Sequence, residues 1–168
     1  MRAEAGSSLI ELVIVIVVVS IAALVFAGIF IQAVNTYQYV DTEKSMLQEA
    51  RYAVERISRE LRRVRNNTSV TTASLTTLAF VDRDNQTVSL SWSGTMGADL
   101  VYAKGGTSRT LATGVDSLAF DYRRLDGTPA SPVVAPSITD IGRVAVYLRL
   151  ARGSQKVATV GSTFVRSL

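Results

Sequence analysis

The sequence predicts an α+β fold in which one long N-terminal helix packs on an antiparallel β-sheet. The first observation behind this is an apolar run from Leu12 to Ile31, which passes into an amphipathic segment with no glycine or proline after Ile31 to break it. The second is that apolar residues beyond residue 69 alternate with small or polar ones, as in antiparallel strands with one buried face. We therefore expect a helix from about residue 9 to about residue 65, followed by strands.

The apolar run predicts one membrane crossing. It contains 20 residues, of which only Ser20 is polar. A helix with a rise of ~1.5 Å per residue covers the ~30 Å hydrocarbon core of a bilayer over this length. No small-residue cleavage site of the secretory kind follows Ile31, so we expect the run to remain in the mature protein. The balance of charges near the two ends is almost even, and we place the N-terminus in the cytoplasm.

The second half of the predicted helix has an apolar stripe that suits the face of a sheet. Its members recur at helical spacing and are expected to form core. They are Val40, Leu47, Ala50, Val54, Ile57, Leu61 and Val64. On the polar face, Glu55 with Arg59 and Arg56 with Glu60 have the i,i+4 spacing of helical ion pairs.

Period-two patterns place strands along the rest of the chain. Turn residues separate them at 82–85, 105–106 and 126–127, and all three prolines fall in one predicted surface loop between residues 127 and 137. The predicted strands centre on Leu78–Phe80, Val88–Trp92, Leu100–Tyr102, Leu118–Tyr122 and Val144–Leu150, with a last one within Lys156–Leu168.

The composition argues against an enzyme. The 168 residues contain no cysteine and no histidine, which removes thiol and imidazole chemistry and the usual zinc or copper ligands. We expect no catalytic residue, no cofactor and no bound metal. Asp82 and Asp84 leave Ca²⁺ as a minor alternative, because the loop around them has few other oxygen ligands.

The N-terminal residues resemble those of the type IV pilin-like superfamily, which includes pilins and the pseudopilins of type II secretion. The resemblance is carried by Gly6-Ser7-Ser8-Leu9-Ile10-Glu11-Leu12-Val13 and by the layout of the whole chain. The segment 51–62 and the closing residues 164–168 are similar to J-type minor pseudopilins and to W- and O-type minor pilins. The chain departs from most members in having Ser7 where they have Phe. It also has no cysteines for the C-terminal disulfide that many major pilins carry, which favours a minor subunit.

The resemblance implies how the chain is processed and assembled. Residues 1–6 would be a leader that prepilin peptidase removes between Gly6 and Ser7, with methylation of the new N-terminus. Residues 7–31 would cross the bacterial inner membrane, and 32–168 would form a periplasmic head that later joins a filament. Glu11 would neutralise the N-terminal amine of an adjacent subunit, since an unpaired carboxylate in lipid is costly.

Four residues on the polar side of the helix are candidates for a subunit interface. They are Tyr52, Arg59, Arg62 and Arg63. The partners expected are other pilin or pseudopilin subunits, and the expected function is a minor subunit that helps to initiate filament assembly. Three alternatives stay open: a type II secretion pseudopilin, a DNA-binding pilin that uses the arginines of residues 56–65, and a signal-anchored periplasmic protein that never polymerises. We expect no strong nucleic-acid binding.

Overall fold

The computed structural model describes residues 9–65, 69–130 and 141–164. One helix, α1, runs from Leu9 to Leu61 and is followed by antiparallel strands that form sheets against it. The predicted α+β fold is therefore confirmed. The strands are β1 (Val70–Ala73), β2 (Thr77–Val81), β3 (Thr87–Ser91), β4 (Leu100–Lys104), β5 (Thr107–Ala112), β6 (Val115–Arg123), β7 (Arg143–Arg152) and β8 (Gln155–Phe164).

The chain divides into two structural units at residue 41. The first ends at Asp41 and, in its described part, consists of helix alone. The second begins at Thr42 and contains the last turns of α1 and all eight strands. We call this second unit the head.

Two hydroxyl groups in the first unit are satisfied within the helix. Ser20 donates from its Oγ to the carbonyl of Ile16 at 2.7 Å, and Thr36 does the same to Gln32 at 2.9 Å. This i−4 bonding removes the need for an outside partner. Ser20 is thus compatible with the apolar segment that surrounds it.

The strands of the head form two sheets where the sequence predicted one. Strands β1 to β5 follow one another in a five-stranded meander, and β6, β7 and β8 form a three-stranded sheet. Gly105 and Gly106 both have positive φ, 56° and 84°, and make the tight turn between β4 and β5. Such a turn matches the twist of a hairpin, so the predicted turn is confirmed. The turns predicted at 82–85 and 126–127 are also present.

The face that α1 buries is close to the predicted stripe but is not identical to it. From Ala50 to Val64 the predicted members are buried, and Leu47 packs against the same core. Val40 is 56% exposed, so its assignment to the core was wrong. It belongs to the first unit and precedes the part of α1 that meets the sheets. Met46 and Ala53, which the stripe omitted, are fully buried.

Helix α1 ends at Leu61, four residues before the predicted end. The backbone N–H groups of Arg63 and Val64 bond to carbonyls three residues back, which tightens the last turn. Val64 then forms an antiparallel bridge with Asp82, and Arg83 donates its N–H to the carbonyl of Arg63. The chain leaves the helix early because these residues pair with the β2–β3 turn.

A glycine allows α1 to approach strand β8 closely. A Cβ added at Gly161 would overlap Cγ1 of Val54 and would lie 3.5 Å from Oγ of Ser58. Only a residue without a side chain permits this approach of helix to strand. Strand β8 is described from Gln155 to Phe164, so the predicted last strand is confirmed over that range, and residues 165–168 lie outside the described part.

Candidate assembly surfaces

The first unit presents a long apolar surface. From Leu9 to Ile31 its large hydrophobic side chains are between 49% and 80% exposed. The helix that carries them is long and apolar enough to cross a membrane. An apolar surface of this extent is unfavourable in water and calls for lipid or for apolar partners.

Glu11 is the single charged residue within this apolar surface. It lies in the first turn of α1, where the helix dipole favours a negative charge. Its side chain is exposed and forms no ion pair with any residue between Leu9 and Phe164 that the structure describes. The processing residues predicted at Gly6 and Ser7 lie outside the described residues.

Two tyrosines follow the apolar surface along the helix. Tyr37 is 74% exposed and Tyr39 is 52% exposed. Tyrosine is enriched where a membrane meets water, because its ring is apolar and its hydroxyl is polar. This pair therefore marks a boundary for the apolar segment at the C-terminal side of Ile31.

A groove with three arginines lies between α1 and β8. It consists of two adjoining cavities of about 420 Å³ and 430 Å³ that share Arg62 and Ser162. Arg59, Arg62 and Arg83 line it together with one acidic residue, Glu55, and we call it the arginine groove. None of the three side chains has an acidic partner within the described ranges, so the predicted pair of Glu55 with Arg59 was wrong.

Two hydroxyl groups and a ring complete the arginine groove. The Thr163 side chain is buried, and its Oγ1 has no hydrogen-bond partner among the residues described. Oγ of Ser162 accepts a bond of 2.6 Å from Arg143, whose guanidinium lies 5.4 Å from the ring centre of Phe164. Phe164 is 62% exposed. The groove thus combines donors for an anion with an apolar contact.

Arg63 is engaged in a different way from its neighbours. It pairs with Asp84, and its Nη2 lies 3.9 Å from the buried carboxylate of Asp82. Lys104 donates to Asp82 at 2.6 Å and lies 3.7 Å from Glu60. We call Glu60, Asp82 and Lys104 the buried ion cluster, and Arg63 and Asp84 pair at its exposed side. The cluster ties the end of α1 to β4 and to the β2–β3 turn.

The charges of the buried ion cluster stabilise one another. Burial alone raises the pKa of Asp82, but hydrogen bonds from Lys104 and from the backbone N–H of Gln86 outweigh it and hold that pKa below its usual value. The same bond to Asp82 raises the pKa of Lys104. Both groups are therefore charged across the neutral range.

The calcium alternative gains no support at Asp82. Its Oδ1 accepts the backbone N–H groups of Asp84 and Gln86, both at 2.9 Å, and its Oδ2 accepts the Lys104 ammonium. The oxygens that would bind a cation already have these donors. The described residues contain no group of three or more acidic side chains suited to a metal ion.

Tyr52 is 58% exposed, as the sequence predicted, and lies beside a second cavity. Arg56, one turn further on, pairs with Glu60 at 2.9 Å, so this predicted ion pair is confirmed. The Arg56 guanidinium also lies 5.1 Å from the ring centre of Tyr102 and donates to its hydroxyl at 3.3 Å. The hydrogen bond to Tyr102 raises the pKa of Arg56.

Comparison with models of protein families and with curated protein sequences found no match to this chain. The site assignments therefore depend on the residues and on their geometry.

The structure brings together two of the four candidate interface residues, Arg59 and Arg62, in the arginine groove. Arg63 lies at the exposed side of the buried ion cluster, and Tyr52 lies at the other cavity. Arg83 was not predicted as a site residue, although it lies in a turn that the sequence does predict. Its approach to the end of α1 depends on long-range pairing that the local pattern does not contain.

Proposed function

We propose that this chain is a single-pass membrane subunit of a type IV pilus-like filament. The observation that carries the proposal is the exposed apolar surface of α1 with Glu11 as its one charge. Lipid covers such a surface before assembly, and the helices of neighbouring subunits cover it in a filament. A chain that only needed a membrane anchor would gain stability by replacing Glu11 with an apolar residue.

The proposed assembly gives Glu11 a specific role. Prepilin peptidase cuts between Gly6 and Ser7, and the new amine on Ser7 of one subunit pairs with Glu11 of another. In lipid this pair is worth far more than in water, because an unpaired charge there is expensive. The head lies in the periplasm, and the minor-subunit role is to help start the filament. A type II secretion pseudopilin would share all of these parts, and neighbouring genes for a secretin would indicate it.

The arginine groove is the head surface that best suits a neighbouring subunit. Its three arginines are exposed and form no ion pair within the described residues of this chain, although Glu55 also lines the groove. A carboxylate from an adjacent head would complete it. Arg62→Glu should then disturb assembly more than folding, whereas Arg63→Glu should also weaken the head, since Arg63 has acidic partners within it.

The mature N-terminus tests the proposal. Protein purified from membranes should begin at Ser7 by intact mass, with that residue methylated, and Gly6→Glu should leave the full-length chain. Glu11→Val should insert into membranes as well as the wild type but lose crosslinks to its co-assembled subunits. Assembled wild-type protein that retains residues 1–6 would refute the processing step, and wild-type crosslinking by Glu11→Val would refute the ion pair.

A further inference from the structure

A cleft of about 390 Å³ lies between α1 and the strands β4 and β5. Tyr52 and Arg56 line it from the helix, and Tyr102 and Lys104 line it from β4. Strand β5 contributes the remaining side chains, which are Thr107, Arg109, Thr110 and Leu111. We call it the β5 cleft. It is separate from the arginine groove, with which it shares no residue.

The lining of the β5 cleft is cationic and contains no acidic side chain. Lys104 is turned toward Asp82 and Glu60, so its charge is largely compensated. The contacts of Arg56 with Glu60 and with the Tyr102 hydroxyl are both made through Nη2, and the guanidinium carries further N–H groups on Nε and Nη1. Arg109 has no ion pair within the described part of the chain. Two guanidinium groups can therefore receive an anion.

Strand β5 offers a second kind of contact. It is the terminal strand of the five-stranded sheet and pairs only with β4 among the described strands. Its outer N–H and C=O groups are a template for another extended chain. Residues Thr107 to Thr110 are all exposed, whereas residues along the buried strands of the head alternate between buried and more exposed positions. No element of the described head therefore covers this part of β5.

We propose that the β5 cleft binds an extended acidic segment of a partner protein. The segment adds to the edge of β5 by backbone hydrogen bonds and places a carboxylate between Arg56 and Arg109. The exposed ring of Tyr52 packs against an apolar side chain of the same segment. Arg56 is already held by Tyr102 and Glu60, so little side-chain entropy is lost on binding.

An acidic peptide fits this surface better than a nucleic acid does. Only a peptide can use the backbone groups of a strand edge along its length. A nucleic acid is bound by a row of cations that follows its phosphates, and the cleft has two available guanidinium groups. The proposal concerns the head alone and holds whether or not the chain enters a filament.

A peptide-binding measurement on the full chain in detergent micelles tests the proposal. The probe is a fluorescent peptide of about eight residues that alternates glutamate and valine, and the control replaces each glutamate with glutamine. We expect fluorescence anisotropy to show binding of the acidic probe, and at least about tenfold weaker binding of the neutral one, as for loss of charge-assisted hydrogen bonds. Hydrogen exchange should slow along 107–112 when the acidic probe is bound.

Arg109→Gln is the decisive variant because the Arg109 side chain forms no ion pair or hydrogen bond with any residue that the structure describes. It should lower the affinity at least about tenfold, as expected for the loss of one hydrogen bond between charged groups. Arg83→Gln changes another exposed arginine that has no ion pair among the described residues, but it lies in the arginine groove, so this variant should leave the affinity unchanged. Arg56→Gln should behave like Arg109→Gln, with circular dichroism to check folding.

Four results would overturn the proposal. The acidic probe fails to bind, or it binds no better than the neutral one. Arg83→Gln weakens binding while Arg109→Gln does not, which would move the site to the arginine groove. A short DNA duplex of equal charge binds more tightly and is displaced by inorganic phosphate, which would make the cleft a phosphate site.

Discussion

Asp82→Asn should weaken the head far more than its position in a turn suggests. Asp82 is fully buried and its carboxylate accepts three hydrogen bonds, of which the one from Lys104 is an ion pair at 2.6 Å. Asparagine keeps an acceptor for the two backbone N–H groups but loses the negative charge. Lys104 would then retain only Glu60 at 3.7 Å.

The expected loss follows from what Lys104 can do without its partner. Removing one member of a buried ion pair costs ~3–5 kcal/mol when the other charge stays buried. The Lys104 side chain is 21% exposed and can partly reach water, so we expect a loss at or just below the lower end of that range, about 2–3 kcal/mol. For a head of this size the melting temperature should fall by roughly 6–12 °C.

The measurement is urea unfolding followed by the fluorescence of Trp92, the single tryptophan, which is 9% exposed in the folded head. A fragment that begins at Gln32 is expected to fold as a soluble monomer and to serve as the sample. Asp84→Asn is the matched control, because Asp84 is 59% exposed and pairs with Arg63 at the surface. Its loss should stay below about 1 kcal/mol.

The pH dependence gives an independent check on Asp82. Its pKa in the folded head lies below the usual value, so its charge stabilises the fold above about pH 4 and this contribution is lost as the pH falls through the lowered pKa. The difference between wild type and Asp82→Asn should therefore be constant near neutral pH and shrink in acid. If Asp82→Asn costs no more than Asp84→Asn, or the difference is unchanged at pH 3, the buried ion pair does not act as described.

The other predictions concern packing and the arginine groove. Gly161→Ala should destabilise the head by ~1–3 kcal/mol, because the added methyl group overlaps Val54. In the double variant, Val54→Ala should recover part of that loss. If the stability losses of the two single variants simply add in the double variant, the close approach is contradicted. Ile57→Asp should unfold the head, because it buries an unpaired charge. Val40→Asp should leave the melting temperature within a few degrees of the wild-type value, because Val40 is exposed. Equal effects of the two substitutions would contradict the observed burial. The head should bind duplex DNA only weakly, and this binding should be lost by ~150 mM salt. Micromolar binding at that salt concentration would favour a role in DNA uptake, provided that Arg62→Glu abolishes the binding and leaves filaments intact.

The sequence alone determined the elements whose patterns are local. The helix is recognisable because the apolar run and the amphipathic stripe follow without a break, and the buried strands because their faces alternate. Strand β5 carries no such pattern, because its first four residues are exposed on both faces and no period of two results. Strand β1 is only four residues long, too short for a pattern. Both strands exist because a neighbouring strand fixes their register.

For the candidate sites, too, the sequence determined one part and the tertiary structure another. Exposure of Tyr52 and of the arginines followed from their position opposite the apolar stripe. The tertiary structure alone decided which residues join them: Arg83 reaches the arginine groove through the turn that pairs with the end of α1, and Arg109 reaches the β5 cleft through its register with Tyr102. These partners are far apart in sequence. Their meeting depends on strand pairing and helix packing, which only the folded chain specifies.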